Sequence, residues 1–196
     1  MLKNAADFLR NYLKNLRLFS DNEITSIISL AEPKKIKKNQ YILYQGNVCE
    51  FYTFVCTGCF RSFRIDENGR EHIFSFIQAN HWVSDQVSLI TGIPSVELID
   101  AIEDSIIIQL SRDVFKTLLE DIPNLSVLNT NILMEEYCRS RERIFMMTNH
   151  QAKEKYENFI YHFPKLHHRI PIYMIASYIG VARETLTRIR GNATNR

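Results

Sequence analysis

Between Ile170 and Arg190 the chain reads Ile-Pro-Ile-Tyr-Met-Ile-Ala-Ser-Tyr-Ile-Gly-Val-Ala-Arg-Glu-Thr-Leu-Thr-Arg-Ile-Arg. A helix that buries Val181, Leu186 and Ile189 presents Arg183, Glu184, Thr187 and Arg188 on its other face, with Arg190 close behind. These are residue types that read a DNA duplex. Arginine can bond a guanine edge with two parallel hydrogen bonds, and a carboxylate can accept from a cytosine amino group. A neighbouring arginine or threonine can hold a phosphate, which sets register without reading sequence.

The elements that must position this face are legible around it. Ile172, Ile175, Ala176 and Ile179 recur at helical spacing, Pro171 stands where a first helical turn tolerates a missing N–H, and Gly180 separates the two apolar sets. This spacing predicts two short helices around a sharp turn, with the small Ala176 allowing close approach. Two helices joined at a glycine also occur in folds that never touch DNA, so charge has to weigh in. Residues 150–196 hold eight Lys/Arg against three acids, net +5, whereas residues 1–149 hold 16 against 19, net −3. The mild overall +2 therefore conceals a basic C-terminal segment on an acidic body, the electrostatic footprint of a duplex binder.

Composition excludes several other classes. With 196 residues, 45% of them hydrophobic, the chain can bury a substantial core in one or two domains. No apolar run approaches the roughly 18–20 residues that span a bilayer, and Lys3, Asp7 and Arg10 interrupt the N-terminus in a helical rather than a secretory pattern. A cytoplasmic protein without a membrane partner is expected. Its cysteines, Cys49, Cys56, Cys59 and Cys138, should then stay reduced. Cys56-Thr-Gly-Cys59 lacks a second close pair, which argues against a zinc or iron–sulfur site, and His72 and His81 are too far apart for a strand-borne metal centre. Neither a cofactor, a metal nor an enzyme activity is expected.

Taken in order, the chain begins with helical periodicity. Phe8, Leu9, Tyr12, Leu13 and Leu16 form one stripe, and Ser20-Asp21-Asn22-Glu23 resembles a helix start before Ile24, Ile27 and Ile28. The basic Lys34-Lys35-Ile36-Lys37-Lys38 reads as a solvated turn and strand edge. After Asn39 the period becomes two. Short β-branched and aromatic runs at 41–44, 50–56, 59–65, 71–77, 96–99 and 105–110 are separated by turn signals at Gln45-Gly46-Asn47, Thr57-Gly58, Asp66-Glu67-Asn68-Gly69 and Gly92-Ile93-Pro94. About eight such strands predict an antiparallel barrel or jelly roll. Arg61 and Arg64, three apart, should point to opposite faces of their strand. Helical spacing returns at Arg112, breaks at Pro123, and resumes over about Leu125 to Met147 with Leu128, Ile132, Leu133, Tyr137, Ile144 and Met147. So long an apolar stripe needs a partner, and a two-helix homodimer seam would supply one. A further helix from Ala152 to Phe163 completes a three-helix C-terminal unit.

This order of helices, barrel, long helix and helix-turn-helix resembles the Crp/Fnr family of bacterial transcription regulators over nearly the whole chain. The most specific matches are Arg183-Glu184-Thr185 followed by Arg188, similar to the family's recognition-helix motif, and Gly46, Phe51-Tyr52, Gly58, Arg61 and the Asp66 to Gly69 hairpin in the barrel. The resemblance implies an α+β chain in three parts. These are a cyclic-nucleotide-binding-like jelly-roll barrel with flanking helices over 1–122, a dimerisation helix over 123–149, and a helix-turn-helix DNA-binding domain over 150–196. It further implies a homodimer reading a two-fold symmetric site in double-stranded DNA through half-sites about 34 Å apart. RNA polymerase and an unidentified small-molecule effector are candidate partners. Ala182 departs from the Ser or Thr that often caps the family's recognition helix, a loss worth about 0.5–2 kcal/mol that Glu184 in the first turn offsets in part through the helix dipole.

The effector stretch departs further. Where cyclic-nucleotide-binding members carry a Gly-Glu pair and then an Arg-Ser/Thr pair, this chain has Ser84-Asp85 and Pro94-Ser95. No Lys or Arg occurs from Glu71 to Ser111, while Asp85, Glu97, Asp100, Glu103 and Asp104 all do. A buried phosphate would meet carboxylates without a charge-assisted partner, so cyclic AMP binding is expected to be weak or absent. Ser84, Asp85, Gln86 and Ser95 remain the pocket candidates, although Asp85 equally suits a helix cap and Trp82 the barrel core. Two other readings stay open: a cyclic-AMP-responsive regulator with an atypical pocket, and a small-molecule sensor or interaction module without DNA binding.

Overall fold

Ser20 opens the second helix with a reciprocal cap. Its hydroxyl accepts from the Glu23 amide at 3.3 Å and its own amide donates to the Glu23 carboxylate at 2.7 Å. Those bonds hold the Glu23 carboxyl below its ordinary pKa. Helix α1 (Ala5–Leu16) and helix α2 (Asp21–Ser29) bury Ala5, Leu9 and Leu13, and Ile24 and Ile27 respectively. Phe8, expected on the buried stripe, is exposed, the buried line of the helix running through Ala5, Leu9 and Leu13. The computed structural model describes residues 4–194.

Eight antiparallel strands follow, built as two four-stranded sheets: β1 (Glu32–Ile36), β2 (Tyr41–Leu43), β3 (Phe51–Thr57), β4 (Cys59–Ile65), β5 (Glu71–Gln78), β6 (Trp82–Val83), β7 (Leu98–Ala101) and β8 (Ser105–Ser111). One sheet runs in the order β1-β8-β3-β6 and the other β2-β7-β4-β5, the jelly-roll arrangement expected of this strand spacing. The basic run Lys34-Lys35 sits on the edge strand β1, where charge discourages further strand pairing. Phe54, Val55, Phe60, Ile99, Ile107 and Leu110 are buried, the alternation of the strands dividing them between the inter-sheet side and the side covered by the helices, where Phe54 meets Tyr12 of α1. Short β6 and the single-residue gap between β3 and β4 depend on tight turns. Gly58 adopts φ +102°, and a Cβ there would lie 2.9 Å from the Ser105 backbone, so only glycine fits.

Helix α3 (Gln86–Thr91) lies between β6 and β7. After β8, Ser111 caps α4 (Arg112–Asp121) by accepting from the Val114 amide at 3.2 Å, and Phe115 stacks on Tyr52 with ring centroids 3.7 Å apart. The long helix α5 (Asn124–Asn149) begins after Pro123, and α6 (Ala152–His162), α7 (Ile172–Ile179) and α8 (Arg183–Thr194) complete the chain.

Contacts divide the molecule into two compact units, Met1–Arg64 with Ser75–Ile132, and Ile65–Phe74 with Leu133–Arg196. Two features of that division are absent from the sequence periodicity. Helix α5 is shared between the units, and the far end of the β4–β5 hairpin clusters with the C-terminal helices. The first unit is centred on the inter-sheet core together with α1, α2, α4 and Leu125 and Leu128 of α5. The second is centred on Phe159, Phe163 and Tyr178, whose rings lie 5.1–5.9 Å apart, with Leu166, Ile175, Ile179 and Leu186 buried around them.

Candidate nucleic-acid interface

Helix α7 starts just after Pro171, whose φ of −59° suits a helix entrance. It ends at Gly180, which adopts the left-handed conformation at φ +65°. The amides of Gly180 and Val181 close this end by donating to carbonyls of Ala176 and Ser177, so the turn is fixed by backbone bonds that an L side chain at 180 would strain. Two residues later α8 begins, its first helical bond running from the Leu186 amide to the Ala182 carbonyl. Ala182 offers no side-chain cap, and Glu184 supplies the acid in the first turn.

Leu186 is wholly buried, and this sets the orientation of α8. Glu184, Thr187 and Arg188 are exposed on the side away from it, Arg183 is exposed at the N-terminal flank one turn before it, and Arg190 is half-buried. The Thr187 hydroxyl donates to the Arg183 carbonyl of its own helix at 2.9 Å, leaving its lone pairs for an incoming donor. A row of two arginines, a carboxylate and a hydroxyl on one solvent-facing stripe, behind a glycine-fixed turn, has the chemistry and geometry to enter a major groove.

The barrel candidates behave differently. Asp85 caps α3, accepting from the Ser88 amide at 3.1 Å through one carboxylate oxygen and from the Ser95 hydroxyl at 2.6 Å through the other. Ser95 also bonds Asn47 and Gly46 through its backbone, and Gln86 donates to Ser84 at 3.3 Å. These four residues therefore form two separate hydrogen-bonded pairs, Asp85 with Ser95 and Gln86 with Ser84, while the buried Gln86 Oε1 has no hydrogen-bond partner among the described residues. A cavity of about 180 Å³ opens beside them, lined in part by Ser84, Thr53, Gln109, Val83 and Ile99. Of the four candidates only Ser84 reaches it. Gln109 donates across the cavity wall to Thr53 at 3.1 Å.

Sequence reasoning named Arg61 but missed its partner. Arg61 of β4 pairs with Asp100 of β7, Nε to Oδ1 at 2.8 Å and Nη2 to Oδ2 at 3.0 Å, with both side chains about 95% buried. Its neighbour Arg64 is exposed and 3.5 Å from Glu97, as the three-residue spacing anticipates. The only available signal was that an arginine and an aspartate occur 39 residues apart in strands that must share a sheet; the register Arg61↔Asp100 joins them. Trp82 packs on Phe54 and Tyr12, at 5.3 and 6.4 Å between ring centroids.

The cysteines have no redox or metal geometry. Cys49, Cys56 and Cys59 are buried and Cys138 is exposed, all as free thiols, and no cluster suited to a metal ion occurs among the described residues. Burial pushes the Cys56 thiol up to about 12. A buried acid that keeps its proton stabilises the fold fully below its unfolded value near 9.0, and that contribution drains away as pH rises through about 12. Because the thiolate is the reactive form, a thiol reagent at pH 8 should modify at most one of the four cysteines until denaturant is added. Rapid native labelling of Cys56 would show that the β3 end opens.

Residues 33–121 match the family described as Cyclic nucleotide-binding domain. The chain is 25% identical over 186 residues to the regulatory protein HlyX of Actinobacillus pleuropneumoniae, covering 88% of this chain and 76% of that one. Among solved structures it is similar to FixK2 from Bradyrhizobium japonicum, with a TM-score of 0.73 and 17% identity over 84% of this chain and 85% of the other. It is also similar to a protein from Eubacterium rectale assigned to the transcriptional regulators of the Crp/Fnr family, with a TM-score of 0.71 and 16% identity over 91% and 85% of the two chains. No helix among the described residues is long and apolar enough to cross a membrane. Residues 33–121 thus carry a cyclic nucleotide-binding domain, and over most of its length the chain is similar in sequence to bacterial regulatory proteins and in fold to regulators of the Crp/Fnr family.

Proposed function

We propose that this regulator works in the cytoplasm as a homodimer on a two-fold symmetric operator, reading bases with Arg183, Glu184, Thr187 and Arg188 and holding the backbone with Arg190. In this reading the three parts are a barrel over 1–122, a dimerisation helix over 123–149 and a DNA-binding domain over 150–196. The observation that carries it is the exposure of those four side chains on α8 while Leu186 of the same helix is wholly buried. The dimer seam rests on α5, where Val127, Met134, Tyr137 and Ile144 are exposed and repeat at intervals of seven, three and seven. That is the a and d spacing of a two-helix coil, and covering it would remove large apolar side chains from water. RNA polymerase is the natural recipient of the signal once the dimer sits on DNA.

The barrel in this reading does not answer to cyclic AMP. Asp85 and Ser95 bond each other, Arg61 is taken by Asp100, and the cavity of about 180 Å³ is smaller than the roughly 300–1,000 Å³ of ordinary ligand pockets. A cyclic nucleotide would have to break buried charge-assisted bonds without a cation to receive its phosphate. Calorimetric titration of cyclic AMP should release no binding heat; a one-per-subunit isotherm in the micromolar range would overturn this part. Any effector of this barrel would be small and without a phosphate.

Selection from a random duplex pool near physiological salt, with and without cyclic AMP, tests the whole. An inverted repeat enriched in both arms is the expected outcome. Enrichment only with cyclic AMP would mean that the pocket opens to the nucleotide, and no enrichment in either arm would favour a sensor or interaction module without DNA binding.

A further inference from the structure

The end of the β4–β5 hairpin, residues 65–74, belongs to the C-terminal unit, and one guanidinium gathers it there. Arg143 of α5 donates Nη1 to the Phe74 carbonyl at 2.7 Å and Nη2 to the Ile73 carbonyl at 2.8 Å. Its Nε reaches the Tyr178 carbonyl in the last turn of α7 at 3.1 Å, and its plane lies over the Tyr178 ring at 4.6 Å. Next to it, the Ser177 hydroxyl donates to the Glu71 carbonyl at 2.7 Å and accepts from the Ile73 amide at 3.1 Å. Hairpin backbone and the end of α7 are therefore held by the same two side chains.

The position of this contact gives it mechanical meaning. Carbonyls in the last turn of a helix lack intrahelical donors and attract cations, and an arginine fork can serve several of them at once from one planar group. Ser177 and Tyr178 immediately precede Gly180, whose amide and that of Val181 bond back to Ala176 and Ser177. The turn into α8 is thus built on the residues that Arg143 and Ser177 hold. At their other ends β4 and β5 lead into the sheet β2-β7-β4-β5.

We propose that Arg143 is a positioning residue for operator reading: with Ser177 it ties the last turn of α7 to the β4–β5 hairpin, so that a displacement of the hairpin is transmitted to the orientation of α8. This rests on the reading of α8 as the operator-reading helix. It assigns the hairpin and Arg143 as the coupling element without requiring the barrel to bind a nucleotide.

The test uses the full chain and its selected operator, with an unrelated duplex as reference. Arg143→Lys keeps the charge but loses the planar fork. It should lower operator affinity by about tenfold, a usual size for coupling between sites, while affinity for the unrelated duplex stays within about twofold, since the charge that meets phosphates is unchanged. Ser177→Ala should act in the same direction and Ser177→Thr should restore binding, because the hydroxyl is what bridges Glu71 and Ile73. Hydrogen exchange in Arg143→Lys should quicken together at residues 70–74 and 177–183. Wild-type operator affinity in Arg143→Lys, or equal losses on both duplexes, would overturn the positioning role. If the wild-type chain binds no duplex at all, the DNA-reading assignment itself falls, and this proposal falls with it.

Discussion

Arg183→Ala should lower affinity for the selected operator by about 1–3 kcal/mol, roughly five- to 150-fold, and should flatten sequence preference at one position in each half-site. The reasoning runs from burial. Leu186 is fully enclosed and cannot rotate outward without opening a core position, so α8 has only one stripe to offer, and Arg183 stands at its N-terminal end, where a recognition helix meets base edges. Its fork can take both acceptors of a guanine, whereas alanine offers neither. Arg190 provides the contrast, being half-buried at the flank of that stripe. Arg190→Ala should weaken binding to all duplexes alike and reduce the slope of log affinity against log salt by about one. Competition binding against single-position operator variants at two salt concentrations separates the two behaviours. Unchanged operator binding by Arg183→Ala would mean that another face of α8 does the reading.

Arg61→Ala should destabilise the barrel by about 3–5 kcal/mol, because it strands the Asp100 carboxylate, 95% buried, without its bidentate partner. Asp100→Ala should do comparable harm by stranding the guanidinium, which otherwise lies 4.1 Å over the Phe63 ring. Removing both charges together, as Arg61→Met with Asp100→Leu, should cost far less than the sum of the single losses, since desolvation then disappears along with attraction. Urea unfolding of the wild type, Arg61→Met, Asp100→Leu and the double variant measures this cycle. An additive result would mean that water reaches the pair. The same experiment bears on signalling, because a paired Arg61 is unavailable to any anionic effector; cyclic AMP binding that appeared only in Asp100→Ala would identify the pair as what keeps the pocket closed to phosphates.

Local chemistry was readable wherever it depended on neighbours in sequence. Ser20 with Glu23, the turns at Thr57-Gly58 and Asp66 to Gly69, Pro171 ahead of α7 and Gly180 behind it all form within a few residues, and their structures follow the expected patterns. Strand periodicity likewise yielded the antiparallel eight-stranded architecture. Short β6 escaped because two residues carry no period, and the exposure of Phe8 escaped because a stripe one residue wider than the true one has the same spacing.

The sequence by itself determined which faces the elements have: α8 must turn Leu186 inward and its charged residues outward, and α5 must carry more apolar surface than one side can hide. Apolar burial and backbone periodicity act over a few residues, so they leave their mark in order and spacing. Only the tertiary structure decided which charges meet. Asp100 came to Arg61 across 39 residues, Asp85 was taken by Ser95, and Arg143 found the Ile73, Phe74 and Tyr178 carbonyls on two distant segments. Those partnerships depend on strand register and on backbone carbonyls that every residue possesses alike, so neither residue type nor spacing announces them, and the last of them is what joins the hairpin to the end of α7.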